Sequence, residues 1–356
     1  MKIGLDDVIA AETALSHVDG EAGSLIIRGC DLEELAGKVS FEEAVATLWE
    51  GLVPGISEDP RGLLGRARDR AFTHLAPLAP RLSGLTPVEG MRLLLAALPD
   101  AEEDHASLAV GAAAVAAAMA VRGSRNLPAV APDASAGHAA DLLRMLRDAP
   151  VEEGASRGLD TYLVTVIDHG LNASTFAARV VSSTEAGLLS SVVAGLCALK
   201  GPLHGGAPGP VLDMLDRIGR PENAEAWLDA AIARGERLMG FGHRIYRVRD
   251  PRADVLKGAV ERLKGEDNRI AFAEAVERTA LEVLERRKPG RRLDTNVEFY
   301  TALLLDSLSV PREGFTPLFA AGRSAGWAAH AIEQARTGRI IRPQSRYVGP
   351  WPAEAA

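Results

Sequence analysis

The side chains best suited to chemistry concentrate between Gly240 and Arg252, in the run GFGHRIYRVRDPR. Gly240 and Gly242 flank Phe241, and His243 follows. Arg244, Arg247, Arg249 and Arg252 then crowd the remaining positions around a single Asp250. Glycine lets a backbone approach a ligand closely and leaves N–H donors open. Guanidinium groups grip carboxylates and phosphates through paired hydrogen bonds. In a chain of formal net charge −8, positive charge at this density points to an anionic ligand. A turn with a solvated basic rim would have the same composition, so the rest of the chain must separate the two readings. A dinucleotide loop is a poorer fit, because the GxG follows a helical pattern and lacks the third glycine.

Three further places carry chemistry-bearing residues. His204 stands between Gly201-Pro202 and Gly205-Gly206, on a backbone sharply shaped to expose it, although a plain helix-ending turn reads the same way. In DHGLNASTF, His169, Asn172, Ser174 and Thr175 fall close together, as a helix N-terminus with its cap or as the lining of a polar pocket. Glu298 lies among apolar neighbours in NVEFY, where a carboxylate is uncommon unless paired or functional. Arg323 and His330 sit in an Ala- and Gly-rich helix, and Arg339, Arg342 and Arg346 follow it. His74, His105 and His138 have no partner pattern and are read as structural.

The elements that must hold these residues are helical. Ser40-Phe41-Glu42-Glu43 is a capping box opening a helix that Gly51 and Pro54 end. Proline punctuates residues 59 to 150 without strand-like stretches. Arg66, Arg68 and Arg70 are expected on a solvated helix face. An amphipathic helix is expected over 222–239, running directly into the basic stretch, with others near 254–264, 270–287 and 316–335. Only 5–28 alternates like short strands or an irregular arm. The Ala-rich run Leu108–Val121 falls short of the ~20 residues of a membrane span and reads as a buried helix.

Composition narrows the class. The 356 residues are 47% hydrophobic and 25% charged, as in a soluble globular protein, and long enough for two domains. Aromatics are 4%, so the core is built from Ala, Leu and Val. A pI near 5.6 argues against general nucleic-acid binding. Cys30 and Cys197 have neither metal-ligand nor disulfide-framework spacing, so no metal is expected. The N-terminus meets charge too early for a signal peptide, and a cytoplasmic location is expected.

Taken in order, GPLHGG at 201–206, GFGHRIYRVRDPRA at 240–253 and NVEFY at 296–300 resemble the three active-site motifs of the citrate synthase family. DHGLNAST, Arg323 in AAGRSAGW, RIIRP with YVG, and the opening VDGEAGSLIIRGCDLEELA extend the resemblance over nearly the whole chain. The resemblance implies an all-α, multihelical two-domain fold with a short irregular or β N-terminal segment. Residues 1–206 and 305–356 would form a large domain. Residues 207–304 would form a small domain carrying His243, Arg252 and Glu298.

It also implies condensation of acetyl-CoA with oxaloacetate and hydrolysis of the thioester, with no tightly bound cofactor and CoA thioester as substrate. Glu298 would be the base, His204 the donor to the thioester oxygen and His243 the donor to the oxaloacetate carbonyl. His169, Arg252 and Arg323 would hold the dicarboxylate, joined by Arg342 from the other subunit of a homodimer. Gly240, Phe241, Gly242 and Arg247 would lie along CoA.

Two departures stand out. The family's usual base is Asp where this chain has Glu298, and Gly206-Ala207-Pro208-Gly209-Pro210 replaces a GGANE-like run. The alternatives are a 2-methylcitrate synthase using propionyl-CoA, or a non-catalytic homologue binding CoA or a dicarboxylate. No membrane or nucleic-acid partner is expected.

Overall fold

The computed structural model describes residues 8–100, 105–205, 208–242, 246, 248, 250–263 and 268–351. It begins with a small antiparallel sheet of β1 (Ser16–Asp19), β2 (Ser24–Ile27) and β3 (Cys30–Asp31), in that order. Ser16 pairs with Ile27 and Ile27 with Cys30. The Asp19 side chain accepts from the Glu21 and Ala22 amides and so closes the first turn. Arg28 and Gly29 close the second, both at positive φ as a tight two-residue turn requires.

Fifteen α-helices follow among the described residues, as the periodicity predicts. The first nine are α1 (Leu32–Leu35), α2 (Phe41–Leu48), α3 (Pro60–Leu75), α4 (Pro87–Ala96), α5 (His105–Ser124), α6 (His138–Arg147), α7 (Glu153–Val166), α8 (Ala173–Ser182) and α9 (Leu188–Leu199). Then come α10 (Pro208–Ile218), α11 (Ala224–Ala233), α12 (Pro251–Arg262), α13 (Asn268–Arg287), α14 (Val297–Ser307) and α15 (Phe315–Thr337). Ser40 caps α2 with the reciprocal Glu43 bonds that the sequence predicts.

The core is centred on α5, against which α3, α4, α6, α9 and α15 pack. Every residue from Ala106 to Arg122 is buried. At 20 residues this helix is longer than its Ala-rich run and apolar enough to cross a membrane, yet its apolar stretch is 94% buried by neighbouring helices. It is therefore a core helix, and its alanines allow the close approach that a core poor in aromatics needs. Helices α10 to α14 pack mainly on one another, and α12 and α14 also rest on α7.

Two expectations change. The helix expected over 222–239 ends at Ala233, because Gly235 turns the chain at φ +80°, and residues 236–239 lead non-helically to the glycine-flanked segment. Arg68 is not on a solvated face. It is wholly buried and donates to Asp141 at 2.8 Å, to the His138 Nδ1 at 3.1 Å and to the Ala136 carbonyl at 2.8 Å. Burial, then Arg68, holds the His138 imidazole well below its usual pKa. Because Arg144 remains beside Asp141 at 2.7 Å, Arg68→Ala is expected to cost about 3 kcal/mol, the low end for breaking a buried pair. Urea unfolding checks this; a loss under ~1 kcal/mol would show the cluster to be dispensable.

Candidate active site

The glycine-flanked segment is held against the start of α14. Gly240 and Gly242 take φ of +87° and +75°, conformations that suit glycine, and Phe241 bridges to Thr295. The Gly242 amide donates to the Asp294 carbonyl at 2.8 Å, and the Asn296 amide to the Gly240 carbonyl at 2.9 Å. Asn296 then works in both directions: its Nδ2 donates to the Gly242 carbonyl at 2.8 Å, while its Oδ1 caps α14 by accepting from the Glu298 amide at 2.9 Å. The segment and the Glu298 backbone are thus fixed to each other. His243 and Arg247 lie outside the described residues, as do Arg244 and Arg249.

Asp250 joins α12 to α14. It caps α12 through the Arg252 amide at 3.1 Å and accepts from the Val297 amide at 3.3 Å. Its carboxylate also receives Arg252 Nε at 3.0 Å and Nη2 at 2.9 Å, a two-point clasp that orients the guanidinium. Burial pulls the Arg252 pKa down, but Asp250, joined by Tyr246 and Glu298, leaves it raised. The Arg252 guanidinium also lies 5.6 Å from the centre of the Tyr246 ring, and the Tyr246 hydroxyl meets His169 Nε2 at 3.1 Å.

Arg323 enters from α15. It is 1% exposed, donates Nε to the Val166 carbonyl at 2.6 Å and lies 5.0 Å from the Phe319 ring centre. Among the described residues it has no carboxylate within ion-pair distance. Burial lowers its pKa to about 10, with Arg252 pushing the same way and Asp168 opposing. The charge of buried Arg252, on a different helix, thus disfavours that of Arg323.

Glu298 feels the charge of Arg252, and His204 that of Arg323. Glu298, in the first turn of α14, is partly buried, and among the described residues it makes no ion pair within 4.0 Å. Burial raises its pKa; Arg237 and Arg252 pull it back, and Asp250 adds to the rise. The partnered-carboxylate reading of Glu298 thus finds no partner among them. For His204, burial and then Arg323 lower the pKa to about 4, against the pull of its own backbone carbonyl, so the ring is neutral at pH 7. The backbone there is tight: the Gly205 amide donates to the Leu199 carbonyl at 2.9 Å, and a Cβ on Gly205 would come within 2.6 Å of that oxygen.

Hydrogen bonding holds the His204 ring through Ser174. Its Nε2 lies 2.9 Å from Ser174 Oγ, which accepts from Trp327 Nε1 at 3.1 Å. Asn172 Oδ1, the cap of α8, accepts from the Ser174 and Thr175 amides at 3.1 Å each and from Ser174 Oγ at 2.7 Å. Ser174 Oγ therefore divides its contacts among Asn172, Trp327 and His204, and holds the imidazole in place. The DHGLNASTF cluster is thus a helix cap and a support for His204 at once.

Several supporting residues carry little sequence signal. Asp168 is fully buried and accepts from Ser16 Oγ at 2.5 Å and from His330 Nε2 at 3.1 Å. His330 Nδ1 faces Arg179 at 3.0 Å, and Arg179 meets Glu333 at 2.6 Å. Arginine only donates, so His330 accepts at Nδ1 and presents Nε2–H to Asp168. Ser16 also accepts from the Gly170 amide at 3.0 Å, tying β1 to the His169 backbone. These partners lie more than 150 positions apart, which no local pattern reports. Asp250 did leave a signal, a helix cap just before Pro251 and two residues from Arg252.

His169, His204, Arg252, Glu298 and Arg323 are thus linked through short contacts and mutual charge effects. Arg342 is not among them; it is exposed on the extended chain after α15. Among the described residues no cluster of three His, Cys, Asp or Glu could hold a metal ion.

The chain matches the family model described as "Citrate synthase, C-terminal domain" over residues 4–344. It is 35% identical to the citrate synthase of Haloferax volcanii, with 98% of this chain and 96% of that protein covered. It is 34% identical to the 2-methylcitrate synthase of Mycobacterium tuberculosis, over 98% and 91% of the two chains. Its fold superposes on a citrate synthase from Thermoplasma acidophilum, solved as a ternary complex with carboxymethyl coenzyme A and oxaloacetate. The TM-score is 0.85 at 28% identity, with 99% of this chain and 97% of that one covered. The chain belongs to the citrate synthase family.

Proposed function

We propose that this enzyme condenses acetyl-CoA with oxaloacetate and hydrolyses the resulting thioester to citrate and CoA. What supports the proposal is the pair of buried guanidiniums: Arg252, clasped by Asp250, and Arg323, with no carboxylate within ion-pair distance among the described residues, their charges felt by Glu298 and His204. A dicarboxylate between the arginines relieves their repulsion, and His169 adds a polar contact at the same place. The thioester methyl is a weak carbon acid. Glu298, made more basic by burial, removes its proton, and His204 stabilises the enolate oxygen that forms. His243 is proposed to polarise the keto group. The Gly240–Gly242 backbone and Arg247 are assigned to CoA. Residues 207–304 are assigned to a small domain that closes over the substrates.

The functional unit is proposed to be a homodimer. After α15, residues 338–351 run without helix or strand and expose Ile340, Tyr347, Val348 and Trp351, with Val348 85% exposed. An extended arm with so many uncovered apolar side chains fits against a second copy, and it would bring Arg342 to the neighbouring site. Sedimentation should give a dimer; a fully active monomer would refute this part.

Thiol release followed with oxaloacetate and each acyl-CoA tests the activity. Turnover with acetyl-CoA is expected. Propionyl-CoA differs by one methylene, which an apolar pocket resolves by only about 1–3 kcal/mol, so secondary turnover with it is also expected. Silence with both donors would favour a non-catalytic binder.

A further inference from the structure

The connection between α14 and α15 covers a cavity of about 180 Å³ remote in sequence from the motifs above. Its floor is apolar, formed by Val121 of α5, Leu143 and Leu146 of α6, and Val310 of the connection. Three arginines line it as well: Arg122, Arg125 and Arg147.

Their partners are unequal. Arg122 is satisfied, donating to Asp148 at 3.2 Å and to the Pro128 and Leu146 carbonyls at 2.5 and 3.1 Å. Arg147 donates Nη2 to the Leu308 carbonyl, but its Nε is buried with no hydrogen-bond acceptor. Burial pulls its pKa down, and Glu152 only partly offsets this. Arg125 is exposed and makes no ion pair among the described residues. Arg122 and Arg147 stand in the last turns of their helices, where cations suit the helix dipole. The dipole accounts for a cation at that position, but not for a buried guanidinium N–H aimed at nothing, which is unfavourable.

An apolar floor under two incompletely matched cations describes a ligand with a short alkyl body and one anionic end. The volume fits: an apolar cavity of about 150 Å³ holds benzene. We propose that this cavity binds a small aliphatic carboxylate, its charged end on Arg125 and Arg147 and its alkyl chain over Val121, Leu143 and Leu146. The site sits at a joint. Leu308, held by Arg147, is the C-cap of α14, whose first turn carries Glu298, and Ser309 turns at φ +52°, a conformation that non-glycine residues rarely take. The chain then enters α15, which carries Arg323. An occupant braces this joint from outside the active site.

Calorimetric titration with butanoate, and separately with inorganic phosphate, tests the site in wild type and in Arg125→Ala. Each titration is run with and without saturating oxaloacetate. Arg125 is exposed, so the variant should fold. Saturable butanoate binding is expected to persist with oxaloacetate present, to weaken about tenfold or more in the variant, and to exceed phosphate binding at least fivefold. Butanoate binding abolished by oxaloacetate would place it on the active-site arginines and overturn the proposal. So would equal affinity in Arg125→Ala, or phosphate binding as tight as butanoate. Oxaloacetate's own titration reports separately on the proposed substrate, so the two readings fail independently.

Discussion

Glu298→Ala lowers kcat about a thousandfold and leaves the KM for oxaloacetate near that of the wild type. General-base removal costs about 10²- to 10⁴-fold, and Glu298 holds no other group in place through its carboxylate among the described residues. Its backbone amide, not its side chain, receives the Asn296 cap, so α14 survives the substitution. Glu298→Asp should be milder than Glu298→Ala yet well below wild type. Asn296 fixes the backbone, so the shorter side chain withdraws the carboxylate by ~1 Å, a displacement worth about a hundredfold.

The pH dependence follows from the direction of the shift. The base must be ionised, so activity falls as pH drops through its pKa. Because burial raises that pKa, the acid limb lies above the ordinary glutamate value of about 4.3. Arg237 is exposed and pulls the pKa down, so Arg237→Ala should move the limb further up. A limb that moves down would contradict this reading.

His204→Ala is expected to lower kcat by about 10²- to 10³-fold, the loss seen when one oxyanion donor is removed. With its pKa near 4 the ring stays neutral over the working range, so His204 adds no limb of its own above pH 5. Ser174→Ala should reproduce part of the loss without touching substrate. It removes the hydroxyl that holds the ring at Nε2 and so loosens its orientation. Steady-state kinetics separates the two: KM for oxaloacetate should hold in both variants while kcat falls further in His204→Ala.

The residues proposed to do chemistry are marked in the sequence because the residue patterns around them are unusual. Glycine pairs beside a histidine, a carboxylate amid apolar neighbours and a cap such as Asn172 or Asn296 each leave a short-range mark. The capping box at Ser40 is of the same kind. What could not be read was pairing across the fold. Arg68 looks like one of three surface arginines until Asp141 and His138, some 70 positions on, enclose it. Arg179, His330 and Asp168 form one buried line from α8 through α15 to the start of the His169 loop, and nothing local marks them as partners. The end of α11 leaves no mark in the apolar spacing, which continues past Gly235, whose positive φ turns the chain out of the helix. The substitution of Glu for the usual Asp was visible from the first. Its meaning depends on the frame around it, in which Asp250 and Asn296 set where the longer side chain starts.

That frame makes Glu298 the group whose role matters most. Proton removal can be observed without condensation, by incubating the enzyme with acetyl-CoA in D₂O and malate, a dicarboxylate with no keto group to attack. Wild type is expected to incorporate deuterium into the acetyl methyl group, and Glu298→Gln to do so at least a hundredfold more slowly, while both bind malate equally. Exchange in Glu298→Gln at the wild-type rate would show that another group removes the proton.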